Sequence, residues 1–403
     1  MKVLYWLGIG FDRHGPSVHL LKAMIEETLK KGHEVTMIVR NTGGSDPDIP
    51  IELQEYGNLH CEIVKDHLQE KGKLVQRYFE DIFYFFRCKR ILRGHKDSDV
   101  VFLQSCTAPI FPLWIARRVL KKPVLFNVQN IFPIDALVLG KLSKHGMKGI
   151  AFRVFRWMQQ VAYQKADWLV TISGDMKATL IREKAPKQKI DVVYNWSYDD
   201  QKNNIADEEN LFLLKHPEVK EKFRVVFAGN LGAMVNAKLI ADAAVRLKDE
   251  KQIQFVIIGD GNNMQYLKDV AKERQLDNMS FYPYQPEEFA RHNYAMADIN
   301  INALPTGIID TCMPSKTATM LNSERPMVVS VEQNSVYASI LRQVHKCIVV
   351  DVDDDQGFAE GIMQLYQEGS RQRSDNARAV FEKYCSCKNA KEYVRIMENM
   401  ART

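Results

Sequence analysis

The strongest constraint on this chain is a set of short, nearly all-apolar runs separated by amphipathic helix patterns. VVFLQS (Val100–Ser105) and PVLFNVQ (Pro123–Gln129) are of this kind. A strand with one wet face alternates polar and apolar residues, so these runs predict strands covered on both faces. Such strands belong to parallel sheets flanked by helices. KVLYWLGI, EVTMIV, WLVTIS (Trp168–Ser173) and IDVVYN (Ile190–Asn195) extend the series, and VHLLKAMIEETLKKG is an amphipathic helix closed by Gly32. A second series follows: FRVVFAG, a helix from about Ala237, QFVIIG, a helix from Met264, then MSFYPY, ADININ, PMVVSV and CIVVDV.

At 403 residues the chain exceeds what one hydrophobic core usually organises. The polar, aperiodic stretch SYDDQKNNIADEEN separates the two series. We therefore expect an α/β protein with two Rossmann-like domains facing each other across a cleft. They comprise residues 1–196, a linker at 197–210, residues 211–380, and a C-terminal helix at 381–403 for which the first domain is one candidate surface. Ligands of such sheets bind beyond the carboxyl ends of the strands. Hydrophobic residues make up 46% and charged residues 26%, which is a folded rather than a disordered composition. The seven cysteines show neither CxxC pairs nor zinc-ligand spacing and read as reduced thiols of a cytosolic protein. The first residues lack the apolar length and cleavage site of a signal peptide, and no run approaches the roughly 18 apolar residues of a membrane span. A net charge of +5 and the lack of a recognised motif speak against nucleic acid as a partner.

The opening GIGFDRHG follows a strand and raises the question of a dinucleotide site. Gly8 and Gly10 fit the fingerprint, but Arg13 takes the third glycine's place, and Arg40 rather than an acid follows the second strand. Only an NADP site, with Arg40 on a phosphate, survives these departures. The second half carries three glycine loops: FAGNLG (Phe227–Gly232), IIGDGNN (Ile257–Asn263) and ALPTGIIDTCMPSKTATML (Ala303–Leu321). Each puts small residues where backbone N–H groups can approach a phosphate or a sugar.

The order of FAGNLG, IIGDG and PTGIIDTCMPSKTATMLNSERPMVVS resembles the donor domain of GT-B glycosyltransferases of family 4 (group 1). It is most similar to the bacterial branch that transfers acetamido sugars in surface-polysaccharide assembly. KGHEVTMI, FNVQNIFPIDALVLG and the helix leading to ADWLVTIS resemble the first domain of that family, so the likeness spans nearly the whole chain. It implies a GT-B fold, a UDP-sugar donor on the second domain, retention at the anomeric carbon, and no metal or other cofactor. It also implies a lipid-linked saccharide acceptor in capsule, lipopolysaccharide or exopolysaccharide synthesis, at the inner face of the cytoplasmic membrane. Domain closure would exclude water from the donor. Carried over by residue, Gly307, Ile308, Ile309 and Asp310 would hold the donor sugar. Ser315 and Lys316 would lie beside the diphosphate, with Lys316 stabilising the leaving group. Gly229 and Asn230 would form the first phosphate-side loop, Asp260 and Gly261 the turn near the nucleotide, and Gly15 a backbone approach to the diphosphate. GIGFDRHG would then face a nucleotide sugar.

The chain departs from the family at several positions. Thr319 stands where many members carry a ribose-binding glutamate, and a hydroxyl does not replace a carboxylate's two acceptors. Asn230 and Val235 replace a common arginine and lysine, with Lys238 and Arg13 as nearby cations. Asn130 replaces an aspartate, leaving Asp135 as the nearest carboxylate for the acceptor; in the opening loop, His14 is the candidate for substrate contact. DVDDDQG (Asp351–Gly357) contains a DxD, but the helix pattern after it predicts an N-cap. Trp157 and Tyr163 lie in a helix pattern and are expected in the core.

Two segments, 71–96 and 141–165, are dense in aromatics and cations. Leu74, Tyr78, Ile82 and Phe85 or Phe86 share a face, with Arg87, Lys89, Arg90 and Arg93 at its end. Lys141, Lys144, Lys148, Arg153 and Arg156 accompany Phe152, Phe155 and Trp157. Such helices either lie on an anionic membrane surface or pack on the sheet with their cations in water. Two other functions share the architecture: a UDP-sugar 2-epimerase, which needs no acceptor, and a non-catalytic binding subunit, which needs none of the missing ligands.

Overall fold

The computed structural model describes residues 1–11, 16–41, 49–66, 74–197, 205–369 and 371–402. The apolar runs form two sheets. The first contains β1 (Lys2–Trp6), β2 (Glu34–Asn41), β3 (Leu59–Lys65), β4 (Val100–Leu103), β5 (Val124–Val128), β6 (Trp168–Thr171) and β7 (Ile190–Val192). The second contains β8 (Phe223–Asn230), β9 (Ile253–Asp260), β10 (Met279–Tyr282), β11 (Ile299–Ala303), β12 (Met327–Ser330) and β13 (Cys347–Val350). Their orders are β3-β2-β1-β4-β5-β6-β7 and β10-β9-β8-β11-β12-β13, and every pairing is parallel. β4 and β5 are buried at every position, which is why their sequences do not alternate. The edge strand β3 buries only Val64, so LHCEIVK has no apolar run to announce it. In both sheets the order reverses beside the first strand, between β1 and β4 and between β8 and β11. Connections leave in opposite directions there and open a crevice at the carboxyl edge.

The chain divides into two compact units, Met1–Asn195 with Cys387–Thr403, and Trp196–Ser386. The expected tail at 381–403 therefore splits after Ser386. Its helix Asn389–Arg402 packs on the helix Pro16–Lys30 of the first unit, and Tyr393 donates a hydrogen bond to Asn127 Oδ1 at 3.0 Å. Of the expected linker at 197–210, residues 205–210 are built into the second unit. Asp207 is buried and bonds Arg224 Nη1 at 2.9 Å. Asn210 is fully buried, caps the helix Leu211–Lys215 by accepting from the Phe212 and Leu213 amides, and donates to the His292 carbonyl. These residues are polar because they hold a buried cation and a helix end.

Arg224 lies in β8 with no exposed surface. Its Nε bonds Asp298 Oδ2 at 3.1 Å, and Arg371 joins Asp207 at 3.0 Å. Removing one partner of a buried pair leaves a charge in low dielectric, which costs roughly 3–5 kcal/mol. Asp298→Ala is therefore expected to lower the denaturation midpoint strongly. Asp242→Ala, which breaks the exposed pair with Lys238, should change stability by less than about 0.5 kcal/mol. Urea titrations of both variants check this.

Candidate functional site

The first two glycine loops leave β8 and β9 side by side, with Gly229 opposite Gly259 and Asn230 opposite Asp260. Gly259 has φ +145°, and a Cβ there would collide with the Gly229 carbonyl oxygen. Gly261 has φ +140°, and its Cβ would lie 2.6 Å from the Leu231 carbonyl carbon. Backbone-to-backbone packing thus requires both. Gly229 faces something else: a Cβ there would stand 3.8 Å from both Cε and Nζ of Lys316.

The Lys316 ammonium is buried and has no hydrogen-bond partner. It sits 3.7 Å from the centre of the Phe227 ring in β8. Burial pulls its pKa from 10.5 down to about 7. An unpaired buried amine destabilises a fold, and a cation–π contact offsets only part of that. The arrangement is complementary to an anion arriving beside Gly229, at the order reversal of the second sheet.

The third loop folds on itself. The Ile308 amide donates to the Pro305 carbonyl at 3.3 Å, and the Ile308 carbonyl accepts from Thr311 and Cys312 at 2.9 and 3.0 Å. The Gly307 amide, at φ +80°, donates to Glu332 Oε1. Gly307 and Ile308, expected to offer amides to a sugar, have both spent them inside the protein. Among the described residues the Ile309 amide has no acceptor. The Ile308 and Ile309 side chains are buried, Asp310 is half-buried and Ser315 exposed. The half-buried Thr319 places Oγ1 3.5 Å from the Ser197 hydroxyl. Glu332 was not expected; its Oε2 is buried without a partner. The signal for it is an acid just past the buried strand PMVVS, at the carboxyl edge of the sheet.

A cavity of about 360 Å³ opens beyond β9 and β10, lined by Gly259, Asp260, Met264, Lys268, Tyr282 and Tyr284 among others. Tyr284 exposes 66% of its surface, so its ring is available to a flat ligand. Asp260 reaches this cavity and also accepts from the Gly261 amide at 2.7 Å. Asn230 is exposed at the end of β8. Lys238 is turned to Asp242, and Val235 is buried.

In the first unit Asp135 is 8% exposed and accepts from Asn130 Nδ2 at 3.0 Å, while Asn130 Oδ1 accepts from Ser105 at 3.1 Å. Burial outweighs these bonds and raises the Asp135 pKa. Arg13, His14 and Gly15 lie outside the described residues. Arg40 is not available to a cofactor phosphate: it pairs with Asp66 and Asp81, each at 2.8 Å. The DxD acids are likewise spent. Asp353 accepts from Asn236 at 2.6 Å, Asp354 caps the helix Asp355–Gln367, and Asp355 pairs with Arg246 at 2.7 Å. Among the described residues no group of three His, Cys, Asp or Glu is placed to hold a metal ion.

The family model for Glycosyltransferase Family 4 matches residues 17–197, and that for Glycosyl transferases group 1 matches residues 222–368. The chain belongs to these glycosyltransferases. It is 26% identical over 312 residues to the probable glycosyltransferase WbjE of Pseudomonas aeruginosa, covering 76% of this chain and 75% of that one. It is 25% identical over 209 residues to WcaI of Escherichia coli (strain K12), a putative colanic acid biosynthesis glycosyl transferase, covering 52% of this chain and 51% of the other. The crystal structure of Anabaena HepE in complex with UDP and glucose superposes with a TM-score of 0.71 at 12% identity, over 99% of both chains. The fold of this glycosyltransferase is GT-B.

Lys316 gives a prediction with two signs. Its pKa is depressed on folding, so the unfolded chain binds more protons between about pH 7 and 10.5, and this residue makes stability rise with pH across that window. Lys316→Met is expected to remove that contribution and stabilise the ligand-free protein by a few kcal/mol. A nucleoside diphosphate should bind the wild type with proton uptake, its affinity falling by up to about tenfold per pH unit above pH 7. The variant should lose both the binding and its pH dependence. Calorimetry in two buffers of different ionisation enthalpy measures each effect.

Proposed function

We propose that this glycosyltransferase transfers a sugar from a UDP-sugar, with retention, to a lipid-linked saccharide during assembly of a bacterial surface polysaccharide. An N-acetylated amino or deoxyamino sugar is the favoured cargo. The buried, unpartnered Lys316 ammonium beside Gly229 carries this reading. As the bond from the anomeric carbon to the β-phosphate oxygen breaks, negative charge grows on the diphosphate. A cation already stripped of water meets that charge without reorganising. The same cation takes the part that a metal ion plays in other nucleotide-sugar enzymes, so the reaction is proposed to need none.

The cavity beside Asp260 accommodates the nucleoside, with the exposed Tyr284 ring as a stacking surface for the base. The Thr319 and Ser197 hydroxyls offer neutral contacts to the ribose. HepE, which shares the fold, was crystallised with UDP and with UDP-glucose, and this supports the choice of nucleotide. Asp310 and Glu332 are the carboxylates assigned to the sugar. Asp135 and His14 are assigned to the acceptor, and Arg13 and Gly15 to the diphosphate. The departing phosphate takes the acceptor hydroxyl's proton on the face where the new bond forms. The name of WcaI places a relative in colanic acid synthesis, which supports the polysaccharide context.

UDP is expected to raise the unfolding temperature in the presence of a chelator, while NADP leaves it unchanged. With the preferred UDP-sugar and a polyprenyl-diphosphate-linked acceptor, Lys316→Ala should lower kcat by about ten- to a thousandfold. Tyr284→Ser should raise the donor KM roughly tenfold with a smaller effect on kcat. Stabilisation by NADP alone, or full turnover in Lys316→Ala, would overturn the assignment. Conversion of the UDP-sugar without any acceptor would move the chain to the epimerase reading.

A further inference from the structure

The helix Leu74–Leu92 is apolar on two sides. The side expected from sequence to meet a membrane is the one the fold consumes. Tyr78 and Phe85 are buried, and Tyr78 stacks against Phe155 of the helix Gly146–Lys165 at 4.7 Å. The opposite side carries Phe79, Phe83 and Phe86 at helical spacing, with 42–62% of their surfaces exposed. The second helix repeats the arrangement. Phe152 and Tyr163 face inward, while Met147, Ile150, Val154 and Trp157 form a stripe that is 48–88% exposed. Trp157, expected in the core, therefore belongs to the surface. These stripes are too long and too regular to be scattered surface apolar residues.

The exposed charges of the two helices are cationic, while the acids of the first helix are half-buried: Glu80 has an oxygen without a partner and Asp81 pairs with Arg40. Residues 141–165 contain no acid. Arg87 and Arg156 are held internally by Asp66 and Glu183. By contrast Arg90, Arg93, Lys144, Lys148 and Arg153 are exposed and make no ion pair among the described residues. Arg90 follows Phe86 on the same helical face as the phenylalanines, and Arg93 lies in the turn just after the helix. Among the described residues no helix is long and apolar enough to cross a membrane. Aromatic and aliphatic side chains interleaved with unpaired cations match a layer that offers apolar depth and negative headgroups together. We propose that this outward face of the helices Leu74–Leu92 and Gly146–Lys165 docks the first unit on an anionic phospholipid surface. The proposal concerns the first unit alone and holds whichever sugar the second unit binds.

The test is co-sedimentation of the full chain with vesicles of phosphatidylcholine, with and without phosphatidylglycerol. The wild type is expected to sediment with the anionic vesicles, to be released by high salt, and to bind pure phosphatidylcholine only weakly. Phe83→Ser combined with Trp157→Ser should lower the partition coefficient by about tenfold or more. Arg90→Glu combined with Arg153→Glu should weaken binding to anionic vesicles by a similar factor. Both double variants should keep the wild-type circular dichroism spectrum and the stabilisation by UDP, which separates loss of docking from loss of fold or of donor binding. The proposal is overturned if the wild type stays in the supernatant with anionic vesicles, or if both double variants sediment as the wild type does. It is also overturned if the wild type self-associates without lipid and Phe83→Ser with Trp157→Ser abolishes that association, since the face would then be covered by a second copy.

Discussion

A lysine ammonium removed from water needs either a counter-charge or a reason to lack one. In the second unit Lys316 has neither carboxylate nor hydrogen-bond acceptor, only the Phe227 ring and the small clearance left by Gly229. Arg224 shows what the same unit does with a cation that serves the fold: it has no exposed surface, and Asp207 and Asp298 neutralise it. Arg325, also buried in this unit, donates to the Ala295 and Arg371 carbonyls, so of these three cations Lys316 alone has no polar partner. The paired one, Arg224, fixes the segment before β8 to the sheet. The unpaired one, Lys316, has a charge that the fold itself leaves uncompensated.

That placement depends on backbone contacts no other residue type would allow. Gly259 lets the turn after β9 lie against the Gly229 carbonyl, and Gly261 lets it lie against Leu231. These contacts set where the end of β8 stands, and the end of β8 sets the gap above Lys316. The Gly307 amide is anchored by Glu332, so the third loop is held from β12 rather than by a ligand. Held in this way, the loop leaves the Ile309 amide and one Glu332 oxygen without protein partners.

Much of the fold was legible because burial on both faces erases alternation: VVFL and VLFNV could hardly be anything but inner parallel strands. β3 was not, since an edge strand with one buried residue has no such mark. Lys316 was reachable through the PSK element, but its lack of a partner is a three-dimensional property that no spacing encodes. Glu332 was marked only by its place just past the strand PMVVS, and its bond to the Gly307 amide depends on the neighbouring strands β11 and β12, which no spacing encodes. Residues 205–210 show the converse failure. Their polarity suggested solvent, yet Asp207 and Asn210 are buried because a charge and a helix end need them there.

The helix Leu74–Leu92 marks the limit of periodicity most clearly. A helix with apolar residues on one side tells which side is inside, whereas one with apolar residues on two sides tells only that both have a use. Tyr78 and Phe85 could have been chosen for the outside and Phe79 and Phe83 for the core with equal right from the sequence. What decides is supply of partners: Phe132, Phe152 and Phe155 form a cluster that Tyr78 completes, and nothing comparable waits for Phe83. A side chain left apolar where the fold offers it no partner is then evidence about the surroundings of the protein. Arg90, exposed and without an ion pair among the described residues, follows on the same helix, and surroundings that are both apolar and negative would satisfy the two together.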